Sequence, residues 1–316
     1  MEKYIFAPAK VNVSLDVKAR RNDGYHEIDS LMASVSWGDW LGFSEAEAFS
    51  LVTVPEMQVL PGENIVTRAA ELLSAETGRE FPVRILLEKN LPVAAGLAGG
   101  SADAAAALHG LNQFFTLGLK EGDLIEIGAR LGSDVPFCIK GGVCRVGGRG
   151  ERLTAVDPFP DLWMVLVTPA EEVSTACVYG RFDALSGRGC SGYTAKSINA
   201  CRFGDAAGLA GVWGNDLELV TLELYPEVKR WKSILALREE ALGVLMSGSG
   251  PTLICLVAGE EKGKRLLGAL ELPAAFRSAL VEVIRPDYRF VARDVADDMN
   301  GGRTLAQEKN GPNQPG

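Results

Sequence analysis

Apolar and polar side chains alternate through Lys10–Val17, close to the N-terminal end of the chain. This alternation predicts a half-buried β-strand, because successive side chains of a strand point to opposite faces. Lys10 and Asn12 then share the polar face of that strand. Turn residues follow at 22–24, and the chain returns as a second extended segment, which predicts a hairpin.

A run of alanine, glycine and serine interrupts these patterns later in the first half. The stretch Leu91–Leu111 reads LPVAAGLAGGSADAAAALHGL, and only Leu97 has a larger side chain between Ala94 and Ala102. The backbone N–H groups of so bare a segment can approach a ligand closely. Asp103 and the glycines argue against a membrane span. A closely packed buried helix without a ligand stays open as an alternative.

The segments on either side of this run predict a strand and a helix. Residues 83–88 alternate as a strand does, and an apolar stripe at helical spacing follows the run. We expect Ser101 to be the N-cap of that helix, with Asp103 in its first turn. A strand, a glycine-rich loop and a helix N-terminus bring free N–H groups and the positive end of the helix dipole together, which is typical of a phosphate site.

Shorter periodic segments complete an α+β pattern over the rest of the chain. The predicted strands lie at about 40–43, 49–54, 143–146, 162–167, 243–245, 253–257, 279–284 and 288–293. The predicted helices lie at about 65–75, 123–131, 175–185, 193–210, 216–224, 227–241 and 260–271, and Thr175 is the expected cap of the third.

Changes in composition divide the chain. Pro158-Phe159-Pro160 marks a boundary between a predicted domain at 1–157 and a second at 158–293. Residues 186–192 are rich in glycine and serine and predict a mobile loop. Residues 294–316 are polar and rich in Gly, Asn and Gln, which predicts a disordered tail.

Charge and cysteine content narrow the classes of function. The 316 residues carry a net charge of −9, so non-specific nucleic-acid binding is not expected, and the positive potential for an anionic ligand must be local. Six cysteines without a C-x-x-C pair and two histidines do not predict a zinc site. We expect reduced thiols in a cytoplasmic protein, with no signal segment and no membrane attachment.

Motifs in a fixed order resemble the galactokinase, homoserine kinase, mevalonate kinase and phosphomevalonate kinase (GHMP) superfamily. The main three are PAKVN at 8–12, LPVAAGLAGGSADAAAAL at 91–108 and MSGSGPT at 246–252. DGYH at 23–26, LGSDVPF at 131–137 and NDLE at 215–218 resemble the branch that acts on a cytidine diphosphate-linked methylerythritol. The resemblance spans about residues 5–293. It implies a two-domain α+β GHMP kinase fold, with an N-terminal mixed sheet and helix ATP-binding domain, a C-terminal ferredoxin-like domain and the active site in the cleft between them.

The resemblance implies two catalytic side chains. Asp134 accepts the proton of the attacking hydroxyl, and Lys10 orients that carboxylate and stabilises negative charge. Taken alone, each of these residues is also compatible with a purely structural role. Asp134 could cap a helix that begins after Gly132, and Lys10 could be a solvated lysine on an open sheet face.

The resemblance also implies how the phosphate donor, ATP, is held. Asn64 lies where the family approaches the adenine, and the Ser101 hydroxyl can reach a Mg²⁺ ion that ATP brings, although no carboxylate ligand is identified. Some family members have glycine or serine where this chain has alanine at 94, 95, 98 and 102, so we expect negative φ at all four. The residues assigned to the phosphates are Pro92, Val93, Ala94, Ala95, Gly96, Leu97, Ala98, Gly99, Gly100, Ser101 and Ala102.

Recognition of the acceptor is implied for a second group of side chains. Tyr25 stacks on the cytosine ring and His26 hydrogen-bonds to its edge. Tyr179 lies on the other side of the ring, with Thr175 one helical turn earlier, and Asn12 contacts the polar tail of the substrate. Ordinary packing at the domain boundary is the alternative role for the two tyrosines.

The implied reaction is ATP-dependent phosphorylation of the 2-hydroxyl of 4-diphosphocytidyl-2-C-methyl-D-erythritol, in the methylerythritol phosphate route to isoprenoid precursors. A kinase of the mevalonate or homoserine type is one alternative, but those acceptors have no cytosine for the aromatic residues to bind. A nucleotide-binding module without catalysis is another, and it would need neither Lys10 nor Asp134. A monomer and a homodimer are both compatible with the sequence.

Overall fold

Two long antiparallel strands, β1 (Lys3–Arg20) and β2 (His26–Glu45), are central to the N-terminal half. The computed structural model describes residues 2–57, 61–185, 191–202 and 204–292. The predicted hairpin is confirmed and is longer than expected, with Lys3 opposite Phe43 and Arg20 opposite His26. The predicted strand at 40–43 is the second half of β2 and not a separate element.

β2 also pairs with other strands and so lies within a 6-stranded mixed sheet. The strand order is β3-β4-β2-β5-β6, and β1 is paired to β2 as well. Its further strands are β3 (Ser50–Val54), β4 (Val83–Glu88), β5 (Val143–Gly148) and β6 (Arg152–Ala155). Four helices pack against one face of it: α1 (Ile65–Thr77), α2 (Gly99–Phe114), α3 (Glu121–Gly128) and α4 (Val135–Lys140).

The C-terminal half contains a 4-stranded antiparallel sheet in the order β10-β7-β9-β8. Its strands are β7 (Trp163–Thr168), β8 (Ala241–Met246), β9 (Leu253–Val257) and β10 (Arg277–Glu282). Its helices are α5 (Thr175–Asp183), α6 (Tyr193–Arg202), α7 (Ala206–Val212), α8 (Glu218–Leu224), α9 (Pro226–Ala236) and α10 (Glu260–Ala269). This strand order, with helices between β7 and β8 and between β9 and β10, confirms the predicted ferredoxin-like unit.

The prediction that β1 is half-buried is wrong, because both of its faces are covered. Val11 and Val13 are fully buried, and Asn12 is only 2% and Asp16 only 1% exposed. The predicted alternation also breaks at a register shift between Asn12 and Ser14, so Asn12 and Asp16 lie on opposite faces of β1. The C-terminal half covers the face of Asp16, whose carboxylate accepts the Tyr193 N–H at 3.0 Å at the start of α6. Buried polar side chains need such partners.

Other predictions differ at the ends of elements. The single helix expected at 193–210 is two helices, α6 and α7, separated at Gly204, which has φ of 66°. The strand expected at 288–293 is absent among the described residues, where only an isolated bridge joins Tyr4 to Val291. Ser174, and not Thr175, caps α5. Most of the predicted loop at 186–192 and the predicted tail at 294–316 lie outside the described residues.

The apolar stretch Leu91–Leu111 contains the loop that precedes α2 and most of α2 itself. In the described ranges, no helix combines the length and the hydropathy that a bilayer crossing requires.

Candidate active site

Lys10 and Asp134 meet where β1 passes the start of α4. The Lys10 Nζ lies 3.6 Å from the Asp134 Oδ2 and donates to the Asn12 Oδ1 at 2.7 Å. The Lys10 side chain is 6% exposed and that of Asp134 is 33% exposed. Asp134 precedes α4, as a helix cap would, but its side chain makes no capping hydrogen bond. A buried cation therefore faces a carboxylate that an incoming molecule can reach.

The first glycine loop (residues 92–98) runs past this pair and adopts an unexpected backbone conformation. The prediction of negative φ is wrong for Ala94 (53°) and Ala98 (55°), and neither Ala95 nor Ala102 is among the described residues with positive φ. Each left-handed alanine costs about 1 kcal/mol. Left-handed residues set between right-handed ones turn successive N–H groups into a concave site for an anion. Ala98, and not Ser101, is the N-cap of α2.

The second glycine loop (residues 247–252) packs against the first and binds its carbonyl groups. The Thr252 hydroxyl donates to the Ala95 carbonyl at 2.6 Å, and the Ser247 hydroxyl donates to the Gly96 carbonyl at 3.0 Å. A Cβ at Gly96 would lie 2.5 Å from the Ser247 carbonyl oxygen, so only glycine fits there. On the other side, the Lys10 N–H donates to the Leu97 carbonyl at 3.1 Å.

The N–H groups of the first glycine loop and of the first turn of α2 have no such partners. From Val93 to Ser101, none of them donates a hydrogen bond within the described part of the chain. Those of Gly99, Gly100 and Ser101 belong to the first turn of α2, where no intrahelical acceptor exists. Free donors and the positive end of α2 therefore converge beside Lys10 and Asp134, which is the arrangement that binds phosphate.

Aromatic side chains form the opposite wall of the site. The rings of His26 and Tyr179 stack with centroids 4.9 Å apart, and the His26 Nε2 is hydrogen-bonded to the Asp183 Oδ1 at 2.6 Å. Burial raises the pKa of the Tyr179 hydroxyl, and the negative charge of Asp134 raises it further, so α5 approaches the Lys10–Asp134 pair. Tyr25 is 52% exposed, and the Arg149 guanidinium lies 5.3 Å from the centre of its ring.

Two family models match the chain, "GHMP kinases N terminal domain" over residues 64–142 and "GHMP kinases C terminal" over residues 197–274. The chain is 45% identical over 269 residues to the 4-diphosphocytidyl-2-C-methyl-D-erythritol kinase of Moorella thermoacetica, covering 84% of this chain and 93% of that one. It is 40% identical over 273 residues to the kinase of the same name from Listeria welshimeri, covering 85% and 92%. This chain belongs to the 4-diphosphocytidyl-2-C-methyl-D-erythritol kinase family of GHMP kinases.

Solved structures agree with this assignment. A crystal structure of a 4-(cytidine 5'-diphospho)-2C-methyl-D-erythritol kinase superposes with a TM-score of 0.73 at 34% identity, covering 90% of this chain and 99% of that one. The mevalonate kinase of Methanococcus jannaschii superposes with a TM-score of 0.69 at 13% identity, covering 90% and 98%. At that identity the second match shows the shared fold alone. The chain is thus a kinase of a family whose phosphate donor is ATP.

Like Asn12 and His26, two further residues assigned to binding on the sequence, Thr175 and Asn64, have partners within the kinase itself. The Thr175 and Ser249 hydroxyls are hydrogen-bonded at 2.8 Å, which joins α5 to the second glycine loop. The Asn64 Oδ1 accepts the Val66 N–H at 2.9 Å and caps α1. α1 begins beside the N-terminus of α2, because a Cβ at Gly100 would lie 3.7 Å from the Ile65 Cγ2.

Sequence reasoning misses several residues that shape the site of this kinase. Arg149 and Asp183 belong to none of the motifs, although the basic and acidic residues around the aromatic ones are a signal. Asn215 has no role assigned to it beyond its place in the NDLE motif. Its Nδ2 donates to the carbonyls of Met246 at 2.9 Å and Gly248 at 2.7 Å, which sets the shape of the second glycine loop.

The site is compatible with a Mg²⁺ ion carried by ATP. In the described ranges, no group of three or more His, Cys, Asp or Glu side chains could hold a metal ion. Mg²⁺ in phosphoryl transfer is bound largely by substrate phosphates with few protein ligands, so it needs no such group. The Ser101 Oγ lies 4.0 Å from the position of a Cβ on Gly132, on the side of the site that leads to Asp134.

Proposed function

We propose that this kinase transfers the γ-phosphoryl group of ATP to the 2-hydroxyl of 4-diphosphocytidyl-2-C-methyl-D-erythritol. The observation that carries the proposal is the Lys10–Asp134 pair, at 3.6 Å, beside a row of N–H groups without partners. The names of the relatives support the choice of acceptor. The reaction belongs to the methylerythritol phosphate route to isoprenoid precursors.

The first glycine loop holds the donor. Its N–H groups and those of the first turn of α2, from Val93 to Ser101, bind the phosphate oxygens, and the dipole of α2 stabilises their charge. Mg²⁺, when bound, neutralises part of that charge, and the Ser101 hydroxyl would help to hold it. We assign the adenine of ATP to the region of Asn64, which caps α1 next to the N-terminus of α2.

The reaction itself needs a proton acceptor and a fixed acceptor oxygen. The substrate oxygen forms a bond to the γ-phosphorus while the bond from that phosphorus to the β,γ-bridging oxygen breaks, and ADP leaves. Asp134 takes the hydroxyl proton, and the Lys10 ammonium orients that carboxylate and stabilises charge on the transferred group. Asn12 accepts a hydrogen bond from Lys10 and thereby fixes the direction of its ammonium.

The aromatic wall selects the acceptor. Tyr25, His26 and Tyr179 bind the cytosine by stacking and by hydrogen bonds to its edge. The Asp183 carboxylate orients His26 at 2.6 Å. Arg149 lies over Tyr25, and we assign its positive charge to the diphosphate of the substrate. Thr175 supports this wall through Ser249.

We also retain the domain division at 157/158 and a cytoplasmic location as proposals. In the structure Cys138, Cys144, Cys177, Cys201 and Cys255 are free thiols, which is compatible with a reducing compartment.

Measurement of ADP release with three acceptors tests the proposed function. The purified chain is given ATP, Mg²⁺ and 4-diphosphocytidyl-2-C-methyl-D-erythritol, mevalonate or homoserine, with Asp134→Asn as the inactive control. We expect turnover only with the first acceptor. Turnover on mevalonate or homoserine alone would overturn the choice of acceptor, and nucleotide binding without turnover on any of them would indicate a binding module.

A further inference from the structure

Three buried charged side chains lie beneath the first glycine loop. They are Asp39 on β2, Lys89 just after β4 and Asp103 on α2. The Lys89 Nζ donates to the Asp39 Oδ2 and, at 2.6 Å, to the Asp103 Oδ2. The side chains of Asp39, Lys89 and Asp103 are 0%, 9% and 4% exposed. Although burial lowers the pKa of Lys89, the two carboxylates outweigh it and raise that pKa above its ordinary value.

The two carboxylates have different surroundings. The Asp39 Oδ1 accepts the N–H groups of Asn90 at 2.6 Å and Leu91 at 2.8 Å, which are the residues that lead into the loop. Asp103 has Lys89 as its partner, and its buried Oδ1 has no hydrogen-bond partner among the described residues. Asp39 is therefore the better satisfied of the two anions.

The cluster reaches both ends of the loop. Asp39 binds the backbone at its beginning, and Asp103 lies just beyond the first turn of the helix that follows it. The Lys89 Nζ would lie 3.5 Å from a Cβ on Gly99, the first residue of α2. The ammonium is thus directly behind the helix N-terminus whose N–H groups have no partners.

A buried ion cluster is weak evidence for stability, since desolvation offsets much of its attraction, but removal of one member leaves an uncompensated charge. Such a cluster does impose one geometry on the backbone segments that it joins. We propose that Asp39, Lys89 and Asp103 are positioning residues for nucleotide binding, which hold the two ends of the first glycine loop so that its N–H groups converge on the phosphates. This inference rests on the proposed function only in taking the anion at that loop to be a nucleotide phosphate.

The different partners of the three residues predict that their variants weaken ADP binding to different extents. Asp39→Asn removes the charge that faces Lys89 and directs an amide NH₂ toward N–H or ammonium donors, so it releases the beginning of the loop. We expect it to weaken ADP binding about tenfold or more. Asp103→Asn removes one partner of Lys89 and leaves the loop backbone bound, so we expect a change of about threefold or less. Lys89→Arg keeps the positive charge on a side chain of different length. We expect it to weaken ADP binding by an amount between those of Asp39→Asn and Asp103→Asn.

Asp16→Asn is the matched control. Asp16 is 1% exposed and accepts two backbone N–H groups, from Tyr193 and Thr194, as Asp39 does from Asn90 and Leu91. It lies on β1 away from the first glycine loop. It should lower the melting temperature, as Asp39→Asn does, but leave the Kd of ADP unchanged within about twofold.

The experiment measures the Kd of ADP by titration calorimetry on the full chain without any acceptor, so an error in the proposed acceptor does not affect it. Steady-state assays with the active acceptor then give both KM values. We expect Asp39→Asn to raise the Kd of ADP and the KM of ATP together, with the acceptor KM unchanged within about twofold. If Asp39→Asn does not fold, Lys89→Arg takes its place. An unchanged Kd of ADP in whichever of these variants folds, or equal weakening by Asp16→Asn, would overturn the proposal.

Discussion

The Lys10 ammonium, almost fully buried on β1, lies 3.6 Å from the Asp134 carboxylate, which is one-third exposed. This difference in exposure fits the different tasks proposed for the two groups. In the proposed mechanism, Asp134 exchanges a proton with the incoming hydroxyl, whereas Lys10 stays in place and acts through its charge.

The first prediction follows from that pair. Lys10→Met and Asp134→Asn should each lower kcat by about 100-fold or more, because each removes a group that acts in the transition state. Stopped assays of ADP release measure the rates, and thermal unfolding checks that both variants fold. Turnover near that of the unaltered enzyme in either variant would refute the role given to that residue.

The stacked rings of His26 and Tyr179 predict a separate effect on the acceptor. Tyr179→Ala removes the stacking surface and should raise the acceptor KM about tenfold, with the KM of ATP within about twofold. Tyr179→Phe keeps the ring and is the matched control, with kinetics close to those of the unaltered enzyme. Equal effects of the two substitutions would mean that the hydroxyl, and not the ring, matters.

The hydrogen bond between Thr175 and Ser249 allows a test of how Thr175 acts. If Thr175 works through Ser249, Thr175→Val and Ser249→Ala should change both KM values alike, and the double variant should be no worse than either. Loss of one such hydrogen bond costs about 1 kcal/mol. Steady-state kinetics of the unaltered enzyme, the two single variants and the double variant completes this double-mutant cycle. A raised acceptor KM in Thr175→Val alone would show instead that Thr175 contacts the acceptor directly.

Gly96 predicts a donor-specific defect. Its φ of 74° and the 2.5 Å approach of the Ser247 carbonyl to an added Cβ mean that Gly96→Ala must displace one of the two glycine loops. We expect kcat/KM for ATP to fall by about 30-fold or more. Gly122→Ala, on α3 with open space around its Cβ position, is the control and should be neutral or slightly stabilising. Normal use of ATP by Gly96→Ala would contradict the close packing of the loops.

His109 predicts a dependence of stability on pH. Burial holds its pKa below the ordinary value of 6.5, although its contact with the Ile139 carbonyl opposes this. At a pH between the pKa of His109 in the folded chain and its ordinary value, the unfolded chain binds more protons than the folded one. The stability that neutral His109 contributes is therefore fully present above pH 6.5 and is lost as the pH falls toward the folded pKa. The free energy of unfolding in urea should therefore be lower at pH 5.5 than at pH 7.5. His109→Phe keeps a ring against Tyr288 and should reduce this difference, and an unchanged difference would exclude His109 as its source.

Much of the fold was predictable because local patterns agree with the final packing. Residues 83–88 alternate and form β4 with the predicted bounds. Lys10 and Asn12 do share one face of β1, as a period of two requires. The order of the motifs also implied the ferredoxin-like half, which the strand order β10-β7-β9-β8 confirms.

The sequence by itself determined that Lys10 and Asn12 share a face and where a bare loop joins a strand to a helix, because these follow from periods and side-chain size along one segment. Only the tertiary structure decided that the polar side chains of β1 are buried and that the alternation shifts after Asn12, since the partners of Asp16 come from the other half of the chain. It also decided that Ala94 and Ala98 are left-handed, because hydrogen bonds from the second glycine loop and β1 hold the carbonyls between them. It also directed the Asp134 side chain toward Lys10 instead of into a capping hydrogen bond. No local pattern could show this, because the ammonium comes from a strand far away in the sequence.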